Sequence, residues 1–543
     1  AGIGIALSFF PIKDLAVPEL CDSDTECGVP GACLALDYCA PSGTGSCRTT
    51  ADCRTPGDAC VPLGVCSADT TDLCLPTLGL DCASGARCRD FAICENRISC
   101  RVSDYTAPAV PYGLLPSAGA AVLDAMRSRE LSGGTPTLPA LQGAVAQAIT
   151  GNAGVNQLSD GGGAGADTLT GLAGDDTYVV GSATTQIVEV AGGGTADRVL
   201  AVASFALAAD DHIEIMATAS AAGVTAINLT GNALAQTITG NAGVNTLSDG
   251  GGAGADTLTG LAGNDTYVVG NAGTLIVEAT GQGTADRVQA SVSFALAADD
   301  DIETMETTSA AGTTAIDLTG NAVAQAITGN AGVNVLSDGG GAGADTLTGL
   351  GGNDTYIVRN AATLIVEGAG QGTADRVAAN LGFALAADDN IEILTTTASG
   401  GTTAINLTGN ALAQAVTGNA GANVLNGLGG LDTLTGGSGA DAFVFSSALG
   451  AGNVDTITDF NVIADTIRLE NAIFTGLVAG ALTAAAFRSN TTGQAADATD
   501  RILYETDTGN LFFDADGTGA GVRIRFAVLD AGLALTPADF LVI

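Results

Sequence analysis

At the start of the chain, Gly2-Ile3-Gly4-Ile5-Ala6-Leu7-Ser8-Phe9 alternates strictly. Ile3, Ile5, Leu7 and Phe9 fall on one face and the small residues on the other. Period-two alternation predicts a strand with one apolar face. A lone strand leaves its backbone groups unpaired, so it needs a sheet edge. That edge is either its own chain's or a neighbour's, where strand addition would link subunits. From residue 151 onward, short runs such as D-T-L-T and D-T-Y-V carry an apolar residue suited to a core, and glycines cut the runs apart. Near the C-terminus, Asp455-Thr456-Ile457-Thr458-Asp459-Phe460 and Asp465-Thr466-Ile467-Arg468-Leu469 read as strands. Ile502-Leu503-Tyr504 and Leu511-Phe512-Phe513 flank Thr508-Gly509-Asn510, a hairpin signature. A short helix is predicted over Ser117 to Leu131, with Ser117 as N-cap and Gly133 just past its end. Pro108, Pro111, Pro116, Pro136 and Pro139 make the surrounding segment, 101–140, a connector.

The runs belong to an internal repeat. G-N-A-G-V-N starts at Gly151, Gly240 and Gly329, and G-N-A-G-A-N at Gly418, successive starts being 89 residues apart. A fixed long period of near-identical text predicts a solenoid or an array. Each period contains a nine-residue subrepeat. It reads G-G-A-G-A-D-T-L-T from Gly162 and G-L-A-G-D-D-T-Y-V from Gly171, and three copies run consecutively from Gly418. Glycine permits the tight turn. The sixth position is Asp or Asn, whose oxygen can face an ion, and the eighth is Leu, Tyr or Phe. In the first three blocks two extra residues precede G-G-A-G-A-D; they either kink the chain or bring Asp160, Asp249 and Asp338 beside an ion.

Composition narrows the chemistry. The 543 residues include 58 acids and 18 bases, for a net charge of −40. Phosphate binding needs clustered Lys and Arg, so nucleic acid is excluded as a partner. The single histidine, His212, lies in H-I-E-I-M and not in H-E-x-x-H. There is no G-x-S-x-G, no phosphate-binding loop and no recognisable catalytic segment, so no catalytic residues are assigned and an enzyme is not expected. No run reaches the ~18 apolar residues that a bilayer span needs. Carboxylates in this excess call for a hard cation with oxygen ligands, and calcium is the natural choice. Asp210-Asp211-His212-Ile213-Glu214 recurs as Asp299-Asp300-Asp301-Ile302-Glu303 and Asp388-Asp389-Asn390-Ile391-Glu392. These clusters read as solvated turns, with further calcium binding as the alternative. Asp514-Ala515-Asp516-Gly517-Thr518-Gly519 is either another calcium loop or a simple turn. The chain begins at Ala1, which leaves room for a removed signal peptide.

All thirteen cysteines lie between Cys21 and Cys100, as three four-cysteine modules with Cys100 left over. Without a C-x-x-C they predict a disulfide-stapled region made in an oxidising compartment. Spacing alone does not give the connectivity. Cys100 either bridges two chains or stays free.

The glycine- and aspartate-rich nonapeptides resemble those of the RTX, or haemolysin-type, calcium-binding family. Ile276-Val277-Glu278, Thr284-Ala285-Asp286-Arg287-Val288 and Phe294-Ala295-Leu296 are similar to segments that accompany such nonapeptides in large secreted surface proteins. The resemblance covers about residues 141–543. It implies a parallel β-roll with Ca2+ between stacked turns, held by carbonyls and sixth-position side chains. Carried onto this chain, the ligands are Asp167, Asp176, Asp256, Asp265, Asp345, Asp354, Asp432 and Asp441. Asn156, Asn245, Asn334 and Asn423 take the same position as weaker, neutral ligands. The last hundred residues, ending Asp539-Phe540-Leu541-Val542-Ile543, resemble the cap and uncleaved signal of bacterial type I secretion.

The expected fold is therefore all-β. An N-terminal strand (1–20), disulfide modules (21–100) and the connector precede a parallel β-solenoid of 89-residue repeats (141–445) and a β-rich C-terminal cap (446–543). The expected function is that of a secreted, bacterial, calcium-binding structural protein. It would fold with Ca2+ outside the cell and self-assemble as a homopolymer into a filament, surface layer or matrix. The alternative is a cell-surface adhesin, with the cysteine-rich segment as a head for a surface or matrix ligand and the roll as a stalk.

Overall fold

The computed structural model describes residues 146–543 apart from 164, together with the strands Asp37–Tyr38, Ser46–Cys47, Cys60–Cys66, Leu73–Cys74, Cys88–Cys94 and Thr137–Pro139. The expected N-terminal strand, the helix after Ser117 and the cysteine pairings lie outside the described residues. Within the cysteine-rich segment, Cys60–Cys66 runs antiparallel to Cys88–Cys94, and the register sets Cys60 opposite Cys94 and Cys66 opposite Cys88.

The chain divides into two units, Ala1–Asp197 and Arg198–Ile543. In the first, Gln157–Ser159 pairs in parallel with Thr137–Pro139 and Thr177–Val180. Thr168–Thr170 pairs in parallel with Ala148–Thr150 and Gln186–Val188. Consecutive nonapeptide strands thus go to two different sheets, and the chain coils. Pro139 sits in an edge strand, where proline is tolerated in a sheet. The second unit repeats the scheme. Thr246–Ser248, Thr266–Val269, Arg287–Ala290 and Thr304–Thr307 form one parallel ladder, while Thr237–Thr239, Thr257–Thr259 and Leu275–Val277 form another. In each unit the described strands that lie between residues 137 and 469 stack as an all-β parallel solenoid. Apart from the single turns Ala484–Ala486 and Pro537–Asp539, the described residues contain no helix.

Alternation within each three- or four-residue strand explains the core. The middle residue of each D-T-L-T points inward and its threonine neighbours point out. All eighth-position residues are buried: Leu158, Leu169, Tyr178, Leu247, Leu258, Tyr267, Leu336, Leu347, Tyr356, Leu425, Leu434 and Phe443. Each such leucine contributes about 2 kcal/mol of burial. One inward side chain per three-residue strand and two per four-residue strand make a narrow core, so stability is gained only by stacking many coils.

The stack is closed at the C-terminal end by a different pattern. Thr466–Leu469 continues the parallel ladder beyond Ala442–Phe445, and Phe540–Val542 adds to it. Ile502–Glu505 and Asn510–Phe513 form the antiparallel hairpin, turning at Gly509 with φ of 78°. Phe445, Phe474, Phe513 and Phe526 meet edge to face, with centroids 5.0–5.3 Å apart.

Candidate metal centre

Each sixth-position residue sits immediately before a strand, at the end of a glycine turn. In the third nonapeptide of the first three blocks, and in the second of the fourth, the second position is Leu172, Leu261, Leu350 or Leu428. All four have positive φ, between 66° and 83°. A non-glycine residue pays about 1–2 kcal/mol for that geometry, so these turns are held under strain by their stacked neighbours.

Stacking gives every sixth-position aspartate the same partner, a backbone N–H one coil earlier. The Oδ1 atoms of Asp167, Asp176, Asp256 and Asp265 accept from the N–H of Gln147, Asn156, Gln236 and Asn245. Those of Asp345, Asp354, Asp432 and Asp441 accept from Gln325, Asn334, Gln414 and Asn423. The second oxygen behaves differently. Oδ2 of Asp176, Asp256, Asp265, Asp345, Asp354, Asp432 and Asp441 is buried with no hydrogen-bond partner. A buried carboxylate oxygen without a donor carries a large desolvation cost. A hard cation is the partner such an atom lacks, and the donor set therefore fits calcium.

The asparagines are arranged otherwise. Asn245 accepts from Asn241 N–H and donates to Ile227 O and Asn241 Oδ1. Asn334 and Asn423 repeat the pattern with Asn330 and Ile316, and with Asn419 and Ile405. Asn156 bonds Asn152 in both senses. These side chains close their own turns.

Asp160, Asp249 and Asp338 are fully engaged with protein donors. Asp249 accepts from the N–H groups of Gly251, Gly270 and Asn271 and from Thr274 Oγ1. Asp160 and Asp338 do the same in their copies. The two-residue insertion makes a loop tied down by one carboxylate. The acid clusters also differ from solvated turns. Their leading acids, Asp210, Asp299 and Asp388, are exposed and the closing glutamates half-buried, but Asp211, Asp300 and Asp389 are buried and accept from the N–H of Ala208, Ala297 and Ala386.

Two further carboxylates per repeat join the sixth-position row. In the second copy one oxygen each from Asp265, Glu278 and Asp286 lies within 4.8 Å of the others. Asp354, Glu367 and Asp375 repeat this, as do Asp176, Glu189 and Asp197. The aspartates form a column. Asp265 N–H donates to Asp286 Oδ1 (2.7 Å), and Asp286 N–H to Glu303 Oε2 (2.7 Å). The glutamate is oriented by a core residue: Tyr267 Oη, fully buried, donates to Glu278 Oε2 and accepts from Gly260 N–H. Tyr356 and Tyr178 donate likewise to Glu367 and Glu189. Tyrosine in place of the usual eighth-position leucine therefore carries a polar atom into the turn.

Electrostatics follow from the crowding. Burial, reinforced by Asp286, pushes the Asp265 carboxyl up to about 6, and burial does the same for Asp286. Glu278 and Glu367 are pushed up to about 8, chiefly by burial, with neighbouring aspartates adding to it and the tyrosine bond opposing it. In the fourth block burial and Asp455 raise Asp432.

Four segments, 150–184, 230–267, 320–358 and 408–444, match the RTX calcium-binding nonapeptide repeat. These segments bind calcium ions. No curated protein matches the chain. The matched repeats contain all twelve sixth-position residues. Glu278, Asp286, Glu367 and Asp375 fall outside them and outside any nine-residue spacing. In sequence, Glu278 and Asp286 belong to segments that accompany the nonapeptides and have no ligand role; a further signal for Asp286 is its place directly before the strand Arg287–Ala290, the same place that Asp265 has before Thr266–Val269.

Proposed function

We propose that this is a secreted structural protein whose solenoid folds when it meets calcium outside the cell and then assembles into an extracellular filament, surface layer or matrix. The observation that carries the reading is the row of buried, unpartnered carboxylate oxygens repeated from coil to coil. A chain built this way is self-repelling without ions and cohesive with them, so calcium binding and folding are linked by mass action. Calcium is scarce in the cytosol and abundant outside, which favours folding after export. The C-terminal segment supports the same order of events. Phe540 and Val542 are buried in the folded cap, so a type I export signal there would be accessible only before folding.

Negative-stain electron microscopy of the purified protein, in millimolar calcium and again after chelation, tests the assembly. Regular filaments or sheets that disappear with the chelator are expected. Dispersed particles in calcium would overturn self-assembly and direct attention to residues 21–100 as a ligand-binding head.

A further inference from the structure

We propose that Asp265, Glu278 and Asp286, and equally Asp354, Glu367 and Asp375, form discrete three-carboxylate sites, each binding one calcium-class divalent cation, with two of the three side chains supplied from outside the nonapeptides. The inference rests on the calcium-binding reading of the chain and not on its assembly.

Proximity alone would not make these acids a site. The unpartnered atoms do. Asp265 Oδ2, Glu278 Oε1 and Asp286 Oδ2 are buried and hydrogen-bonded to nothing, while the other oxygen of each carboxylate is already taken by Asn245 N–H, Tyr267 Oη or Asp265 N–H. Asp354 Oδ2, Glu367 Oε1 and Asp375 Oδ2 are in the same condition, with Asn334 N–H, Tyr356 Oη and Asp354 N–H holding the opposite oxygens. One oxygen per residue is thus fixed by the fold and one is left over, in two independent copies.

The spacing suits the ion. Ligands about 2.4 Å from a calcium ion are at most about 4.8 Å from one another, and the three carboxylates of each copy meet that bound. Space is kept by glycine. A Cβ on Gly260 would overlap Asp265 Oδ2 and Tyr267 Oη, and one on Gly283 would overlap Asp286 Oδ2 and the Gly263 carbonyl oxygen. Gly349 and Gly372 hold the same places in the next copy. The Gly263 carbonyl borders the space and is a further hard donor. Three charges with carbonyl and water oxygens match the ligand number and type that calcium takes. By contrast, among the described residues the turns of Asp256 and Asp345 gather no such trio. After Asp265 the chain leaves the nonapeptide register and returns with Glu278 and Asp286 to close the end of the run.

The test uses the full chain, with calcium and terbium ions as separate probes. E278Q/E367Q keeps an acceptor for the tyrosines and removes the charge. Equilibrium dialysis should show two fewer calcium ions bound per chain than in the parent. Terbium held beside Tyr267 and Tyr356 is excited through their rings, so tyrosine-sensitised emission should fall in the same variant. Y267F/Y356F should lose that emission and keep the two ions. If E278Q/E367Q does not reach the parent's far-UV circular dichroism in saturating calcium, D286N/D375N takes its place with the same expectations. Parental ion count and parental emission in the folded variant would overturn the sites. A parent chain that binds no calcium would instead overturn the calcium reading beneath them.

Discussion

The backbone N–H of Asp265 donates to Oδ1 of Asp286, twenty-one residues later and one coil along, at 2.7 Å. This bond joins two acids that repel each other and fixes which oxygen of Asp286 stays free. Its two roles, acceptor and charge, separate by substitution. D286N retains an acceptor for the N–H and loses the charge, whereas D286A loses both. In chelator, D286A should be less stable than the parent by about 1–3 kcal/mol for the orphaned N–H, and D286N at least as stable as the parent. In calcium both should be less stabilised than the parent. Urea denaturation with and without calcium checks the split, and equal losses for the two variants in chelator would contradict it.

Tyr267 shows how a core position serves the turn above it. Its ring fills the eighth-position slot that leucine fills elsewhere, and its hydroxyl satisfies Glu278 Oε2. Y267F keeps the ring and leaves that oxygen without a donor. The expected loss is about 1–3 kcal/mol, larger in chelator than in calcium, where an ion still engages the carboxylate. Thermal melts of Y267F under the two conditions measure the difference. Y504F is a useful comparison, since Tyr504 Oη bonds the Asp530 carbonyl in the cap and lies outside the nonapeptides; its loss should not depend on calcium.

Much of the roll is legible in sequence because its determinants are local. Nine-residue spacing places Asp265 before a strand and Tyr267 inside it, whatever the rest of the chain does. Glu278 and Asp286 are not legible that way. They reach Asp265 only because the next coil is twenty-one residues long and stacks in one register, which is tertiary information. The same limit explains Asp300. Its neighbours in sequence are acidic and suggest a solvated turn, yet Ala297 N–H and the Asn321 amide fold that turn inward and bury it. Asp249 could be read from sequence either as a kink or as a ligand, and only the donors gathered from Gly270, Asn271 and Thr274 distinguish these.

Asp249 should therefore behave unlike Asp265, although the two are equally buried. D249A strands three backbone N–H groups and a hydroxyl, and a loss of about 3 kcal/mol or more is expected. The loss should be similar with and without calcium. D265A should instead show its main effect in calcium, as a weaker stabilisation by the ion. Calcium titrations followed by circular dichroism distinguish the cases: a D249A defect that saturating calcium selectively worsens would mean that Asp249 is itself a ligand.

The carboxylates also predict a pH dependence that calcium reverses. In the ion-free chain, burial raises Asp265, Asp286, Asp345 and Asp354 to about 6, and Glu278 and Glu367 to about 8. Unfolded carboxylates titrate near 4. The folded chain thus binds more protons than the unfolded one between about pH 4 and 8, and its stability falls as pH rises through that window. The contribution is complete below about pH 4, fades first at the aspartates near 6 and then at the glutamates near 8. Calcium needs the same oxygens deprotonated, so its binding releases protons and tightens as pH rises. In chelator the melting temperature should drop from pH 5 to pH 8. In saturating calcium the drop should vanish or invert, with the largest calcium-induced shift at pH 8. A chelated protein whose melting temperature is flat over this range would mean that the buried carboxylates are not ionised against a cost, and the case for ions as their missing partners would fail with it.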